Sequence, residues 1–282
     1  MKKYLFVFVL LLCVGSLFGQ DLFSIAANGT PEQIQSAINA GADVNDHNDK
    51  GRTALIQAAW LNPNPEVITT LIKAGAKLDD RDTAGRTTLM YAAAQNSNPE
   101  VITTLLNDGA KVNARDTADW TALMHAAHSN PNPEVITTLI KAGAKLDDRN
   151  TTGWTALMHA ADSNPNPEVI TTLLNDGAKV NDRDMIGATA LMYAALNNQN
   201  PGIIETLINA GAEVNARDKN GWTALMSAAM NNPNPEVIIT LIKAGADGKL
   251  KSSEGKTAFD YAQDNPVIKN TAAYWALNDA RF

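Results

Sequence analysis

Several ingredients of common functions are scarce in this chain. Its 282 residues include one cysteine, Cys13, so no internal disulfide can staple the fold and stability must come from packing. Aromatic residues make up only 6% of the sequence. Basic residues are outnumbered, 23 Lys and Arg against 30 Asp and Glu, for a net charge of −7. No basic run appears, which argues against a nucleic-acid binder and against docking on an anionic membrane surface. Catalytic patterns are missing too. There is no phosphate-binding glycine loop, no cysteine nucleophile beyond the N-terminal stretch, and no His-acid-Ser set outside repeated positions.

Long apolar runs are also absent, apart from the start, "MKKYLFVFVLLLCVGSLFGQD". Lys2 and Lys3 supply a positive n-region and Tyr4 to Val14 an apolar stretch of roughly ten residues, with Gly15, Ser16 and Gly19 offering small residues for cleavage. A membrane span needs about 20 apolar residues, so this reads as a secretory signal peptide, 1–19, cut after Gly19. Lipidation at Cys13 is the competing reading. It suits the sequence less, because Leu12 stands where a small residue is required. Removing Lys2 and Lys3 takes the 23 basic residues to 21 against 30 acidic ones, a formal charge of −9. The expectation is an acidic protein exported to the periplasm or beyond the cell, without membrane insertion after cleavage.

What the chain does have is a period. Gly51, Gly85, Gly153, Gly187, Gly221 and Gly255 fall on a grid of thirty-four residues, with Asp119 in the missing slot. Gly41, Gly75, Gly109, Gly143, Gly177, Gly211 and Gly245 form a second grid, and Leu55, Leu89, Leu123, Leu157, Leu191 and Leu225 a third. Periods of this size mean stacked repeats. A doubled period of sixty-eight residues, seen in "LIKAGAKLDDR" at Leu71 and Leu139, points to duplication of a two-repeat block.

Each repeat predicts two helices and a turn. In the one from Gly85, "TTLMYAAAQ" puts Leu89, Ala92 and Ala93 on one stripe. Asn96 then reads as a left-handed helix terminator. "NPEVITTLLNDG" opens with Asn98 as N-cap and Pro99 at the first helical position. Val101, Ile102, Leu105 and Leu106 give it a buried face, and Gly109 ends it. "AKVNARD" follows as a polar, extended finger closing in a tight turn. Asp119 is the one turn residue expected to hold a left-handed conformation without being glycine.

"TALMHAA" (Thr121 to Ala127) and "AGAEVNARDKNGWT" (Ala210 to Thr223) resemble the ankyrin-repeat pattern, and the resemblance runs from Asp21 to about Tyr261, similar to exported bacterial ankyrin-repeat proteins. It implies an all-α solenoid of helix-turn-helix units with β-hairpin-like fingers. The boundaries are an N-terminal capping repeat 21–50, six repeats over 51–254, and a C-terminal capping repeat 255–282. Tyr274, Trp275, Leu277 and Phe282 are expected to seal the last core. Met90, Met124, Met158, Met192 and Met226 replace the family's usual histidine.

Comparison of the repeats separates scaffold from surface. Variation gathers after the turn glycine (Arg52, Arg86, Trp120, Trp154, Trp222), in the first helix (Tyr91, His125, His159, Tyr193) and after the alanine pair (Trp60, His128, Asp162). The resemblance places these slots on the concave binding face, and Trp, Tyr and Arg are favoured interface residues. The plainer reading is that the tryptophans lie across neighbouring fingers and close the seams. A zinc site from His125, His128, His159 and Asp162 needs four surface slots to converge. The Asp-rich "KLDDRD" lacks a dense calcium loop. The sequence therefore implies a non-catalytic protein-binding scaffold with no cofactor and no small-molecule substrate. A periplasmic accessory that protects or assembles a redox enzyme is the alternative.

Overall fold

The computed structural model describes residues 21–282. The expected signal peptide and Cys13 lie outside the described residues. Within them the fold is an all-α repeat solenoid of sixteen helices and no strand. Hairpin character in the fingers is limited to turn hydrogen bonds and one antiparallel bridge, Arg81 with Thr87. No helix among the described residues is long and apolar enough to cross a membrane.

The chain divides into two compact units, one ending at Lys111 and one from Val112 to Phe282. The first holds α1 (Leu22–Asn28), α2 (Pro31–Asn39), α3 (Ala54–Leu61), α4 (Pro65–Lys73), α5 (Thr88–Gln95) and α6 (Pro99–Asn107). The second holds α7 (Ala122–Ser129), α8 (Pro133–Lys141), α9 (Ala156–Ser163), α10 (Pro167–Asn175), α11 (Ala190–Asn197), α12 (Pro201–Asn209), α13 (Ala224–Asn231), α14 (Pro235–Lys243), α15 (Ala258–Ala262) and α16 (Ala272–Ala280). Within each unit the odd-numbered helices pack on one another as one layer and the even-numbered helices as a second, and each repeat's own pair also touches.

Local chemistry explains both helix types. Apart from α1, which opens on Asp21, the odd helices open on a threonine, and in all of these but α11 its hydroxyl takes an N–H of the first turn, as Thr155 does from Met158 at 3.4 Å. The even helices from α4 to α14 open on Asn-Pro, whereas α2 opens on Thr30-Pro31 and α16 on Thr271. Asn98 accepts the Glu100 N–H at 3.0 Å, and Pro99 occupies a position where no N–H is needed. Val101, Ile102 and Leu105 are fully buried, and Gly109 leaves the helix at φ 100. Asp119 holds φ 61 where Gly153 holds 85 and Gly187 holds 83.

Asn96 corrects the sequence reading. It sits at φ −74, ψ 121, extended rather than left-handed. Its side chain is needed elsewhere: Nδ2 donates to Ala59 O and Asn62 O of the preceding repeat, while Oδ1 accepts from Asn98 N. Asn164, Asn198 and Asn232 repeat this three-way contact in the second unit. The first layer is thus joined by a buried ladder of carboxamides as well as by apolar packing.

The expected seal of the last core is also only partly right. Ala273 and Leu277 of α16 are buried, and Tyr274 stacks on Phe259 at 4.9 Å. Trp275 and Phe282 stay largely exposed, at 55% and 81%. The buried stripe of α16 runs through 273 and 277, which turns position 275 outward.

One scaffold slot is poorly matched to its surroundings. Thr88 stands where the other repeats carry Ala54, Ala122, Ala156, Ala190 and Ala224, and its buried hydroxyl has no hydrogen-bond partner. An unsatisfied buried hydroxyl costs about 1–3 kcal/mol. Thr88→Ala is therefore expected to raise the melting temperature by a few degrees; a lower melting temperature would show that the methyl packing matters more.

Candidate interaction surface

The varied slots assemble into two groups, one in each unit. In the first, Arg52 lies over the rings of Trp60 and Tyr91, 4.7 and 5.0 Å from their centroids, and its Nε donates to Tyr91 Oη at 3.0 Å. The Tyr91 hydroxyl in turn donates to Asp82 Oδ2 at 2.7 Å. Burial and the Asp82 carboxylate raise the pKa of that phenol, which keeps it a donor. Trp60 Nε1 donates to Gln95 Oε1 at 2.7 Å, and Arg86 sits 5.9 Å from the Tyr91 centroid. Tyr91 is buried at 5% exposure, whereas Arg52, Arg86 and Trp60 are half-buried.

In the second unit the finger residue of one repeat stacks on the first-helix residue of the next. Trp120 lies 3.9 Å from His159, Trp154 lies 3.9 Å from Tyr193, and Trp222 lies 4.5 Å from Tyr261. Trp154 Nε1 also donates to Tyr193 Oη at 3.0 Å. His125 and His128 face Trp120 at 5.0 and 5.5 Å, so three imidazoles surround one indole. The three tryptophans, His125 and Tyr193 are half-buried, and His159 is 2% exposed. Each tryptophan thus closes a seam while leaving part of its ring in solvent.

A second regularity ties each finger to its own first helix. The finger residue nine positions earlier bonds the varied helix side chain: Asp116 with His125 at 3.0 Å, Asp184 with Tyr193, and Ser252 with Tyr261 at 2.9 Å. Burial pushes the Asp116 carboxyl up, but His125 and the N–H groups of Trp120 and Ala118 hold it below the usual carboxylate range overall. Tyr193, buried and facing Asp184, is shifted upward. His159 differs, because its finger partner is Asn150. Asn150 Oδ1 is occupied by Thr152 N and Trp154 N, so its Nδ2 must face His159 Nε2, at 3.3 Å. The imidazole therefore accepts at Nε2 and is neutral. Burial, then the nearby His128 and His125, lower its pKa to about 3. The His128 pKa is lowered as well, chiefly by burial.

These rings are engaged with one another, and no group of three or more His, Cys, Asp or Glu among the described residues has the geometry to hold a metal. Asp162 accepts hydrogen bonds from Ser163 and Asn197. Sequence reasoning missed one exposed feature, the fingertip Met185-Ile186, at 63% and 49% exposure. Its signal was present: the other tips read Thr83-Ala84, Thr117-Ala118, Thr151-Thr152 and Lys219-Asn220. Met230, on α13, adds a further exposed apolar side chain.

Comparison with known families gives one match, to ankyrin repeats in three copies, over residues 22–116, 93–184 and 186–277. No curated protein matches the chain.

Proposed function

Because the chain belongs to the ankyrin-repeat family, a family of protein-protein interaction modules, we propose that it is an exported, non-catalytic scaffold. Its partner is a protein held on the face made by the fingers and first helices. The observation that carries this reading is the set of half-buried aromatic and guanidinium side chains found in each unit, Arg52, Trp60 and Arg86 in the first and Trp120, Trp154 and Trp222 in the second. Rigid side chains already ordered by stacking lose little entropy on binding, and Trp and Arg are the usual anchors of interfaces. The exposed Met185, Ile186 and Met230 add apolar surface in the second unit. Tyr91, His125, His159 and Tyr193 hold those aromatic and guanidinium side chains in place from behind. Export is supported by the charged and then apolar start of the sequence, which falls outside the thirty-four-residue pattern.

One paired experiment tests both parts. Protein recovered from its native cells is expected to begin near Gln20 by mass, and to carry a partner through affinity capture. Trp120, Trp154 and Trp222 changed together to Phe keep a ring on His159, Tyr193 and Tyr261, so the melting temperature should move by only a few degrees. Loss of the indole edges should weaken capture by about tenfold or more, equivalent to about 1.4 kcal/mol. Intact Met1 to Gly19 on native protein would end the export reading. Undiminished capture by the folded triple variant would remove the tryptophans from the binding face.

A further inference from the structure

The last finger breaks the pattern of the others. Where earlier fingers read Asp79-Asp80-Arg81-Asp82, Asp147-Asp148-Arg149-Asn150 and Asn181-Asp182-Arg183-Asp184, this one reads Lys249-Leu250-Lys251-Ser252. Lys249 replaces an acidic or carboxamide side chain, Leu250 and Ser252 stand where acids are common, and Lys251 keeps the positive charge of the arginine in that slot. Gly248 breaks the grid too, standing where Leu78, Val112, Leu146, Val180 and Val214 stand in the other repeats. A Cβ there would lie 2.7 Å from Ala280 O. The missing side chain is what lets the end of α16 rest on the finger, and it delivers Arg281 and Phe282 beside the two lysines.

The result is an open cleft of about 660 Å³ walled by Lys249, Lys251, Thr257, Asp260, Arg281 and Phe282. The Arg281 guanidinium is held between two rings, 4.4 Å from the Phe259 centroid and 4.9 Å from that of Phe282. Its Nε is buried with no hydrogen-bond partner. Asp260 is the one acidic side chain among the described residues of the wall, and its Oδ2 is taken by Thr257 N at 2.8 Å and Thr257 Oγ1 at 2.7 Å. Those two bonds hold its pKa down, with smaller help from Arg281 and Lys251. A planar cation fixed by stacking is prepared for two-point contact with a carboxylate. Two lysines nearby add charge, and the exposed Phe282 ring adds an apolar wall.

We propose that this cleft is a second binding site, which takes an acidic peptide segment with carboxylates on Arg281, Lys249 and Lys251 and an apolar side chain against Phe282. The site is separate from the tryptophan series and does not depend on it. A free small anion would use the cations but leave the aromatic wall idle, which is why a peptide fits better.

The test is fluorescence anisotropy on the full chain with a labelled peptide of alternating Glu and Leu, its Gln and Leu counterpart, and inorganic phosphate as competitor. The Glu peptide should bind at least about tenfold more tightly than the Gln peptide, and Arg281→Gln should cost about tenfold in affinity. Because Arg281 also packs, Lys249→Asn is the companion variant. It restores the residue found at Asn113, Asn181 and Asn215, so it should keep the wild-type melting temperature while weakening binding several-fold. The variant with all three tryptophans changed to Phe should bind the peptide as the wild type does, whatever happens to capture of the native partner. Equal binding of the two peptides, or wild-type affinity in both single variants, would overturn the proposal. So would displacement by phosphate as effective as displacement by unlabelled peptide, which would reduce the cleft to a small-anion site.

Discussion

Replacing Asn164 by alanine should be among the most damaging single changes in this protein, although the residue carries no charge and touches no ligand. The side chain is fully buried. Its Nδ2 donates to Ala127 O and Asn130 O, both at 2.9 Å, and its Oδ1 accepts from Asn166 N at 3.0 Å. Alanine leaves two carbonyls and one N–H without their partner, in a place water reaches poorly. Leaving one buried polar group unpaired costs about 1–3 kcal/mol, so a loss of about 3–5 kcal/mol is expected for the set. Asn181 provides the control, since it makes the same kind of link at the surface, with Nδ2 to Gly211 O at 3.0 Å and Oδ1 from Glu213 N at 2.9 Å. Water can replace those bonds, and Asn181→Ala should cost about 1 kcal/mol or less. Urea unfolding followed by circular dichroism separates the two cases. Equal, small losses for both variants would mean that apolar packing alone joins the repeats.

The Asn164 ladder also marks the limit of what could be read from the letters. The period, the two helices per repeat, the Asn98 cap, Pro99 and the Gly109 exit were all legible, because each depends on residues within a few positions of one another. Asn96 was not. Its partners are carbonyls 34 and 37 positions back, and a local reading supplied the commoner use of asparagine at a helix end. The clue lay in its recurrence in every repeat, since a solvent-facing terminator has no need to be so constant. Trp275 and Phe282 were misplaced for a different reason: large apolar residues were assumed to be buried. The spacing of Ala273 and Leu277 already pointed the other way. For the varied slots, sequence comparison picked out the positions that differ between repeats. It could not show that each finger tryptophan stacks on the following repeat, because that pairing spans 39 positions.

The pairing of Asn150 with His159 leads to an acid-sensitivity that the tyrosine-bearing repeats should not share. The His159 pKa is lowered from 6.5 to about 3, while in the unfolded chain it returns to about 6.5. Between those values the unfolded state binds a proton that the folded state refuses, so stability falls as the pH drops. The contribution is complete above about pH 6.5 and is lost progressively down to about pH 3, at up to about 1.4 kcal/mol per pH unit. By pH 4 the loss from this one residue should reach about 3 kcal/mol. Protonation would also set the Asn150 Nδ2–H donors against an imidazolium N–H, because Asn150 Oδ1 is committed to its own turn. The protein contains its own remedy. Asp82 with Tyr91 and Asp184 with Tyr193 occupy the equivalent slots, and a phenol whose pKa is raised by burial has no proton to gain as the pH falls from 7 to 4. The double change Asn150→Asp with His159→Tyr should therefore flatten the stability profile over that range. His128, whose pKa is lowered by burial and by His125 against the pull of Asp162, would leave a smaller residual slope. The measurement is the difference in unfolding free energy between wild type and double variant at pH 7, 5.5 and 4. A difference that does not change with pH would show that His159 takes up its proton without disturbing the stack, and the neutral, accepting imidazole would have to be abandoned.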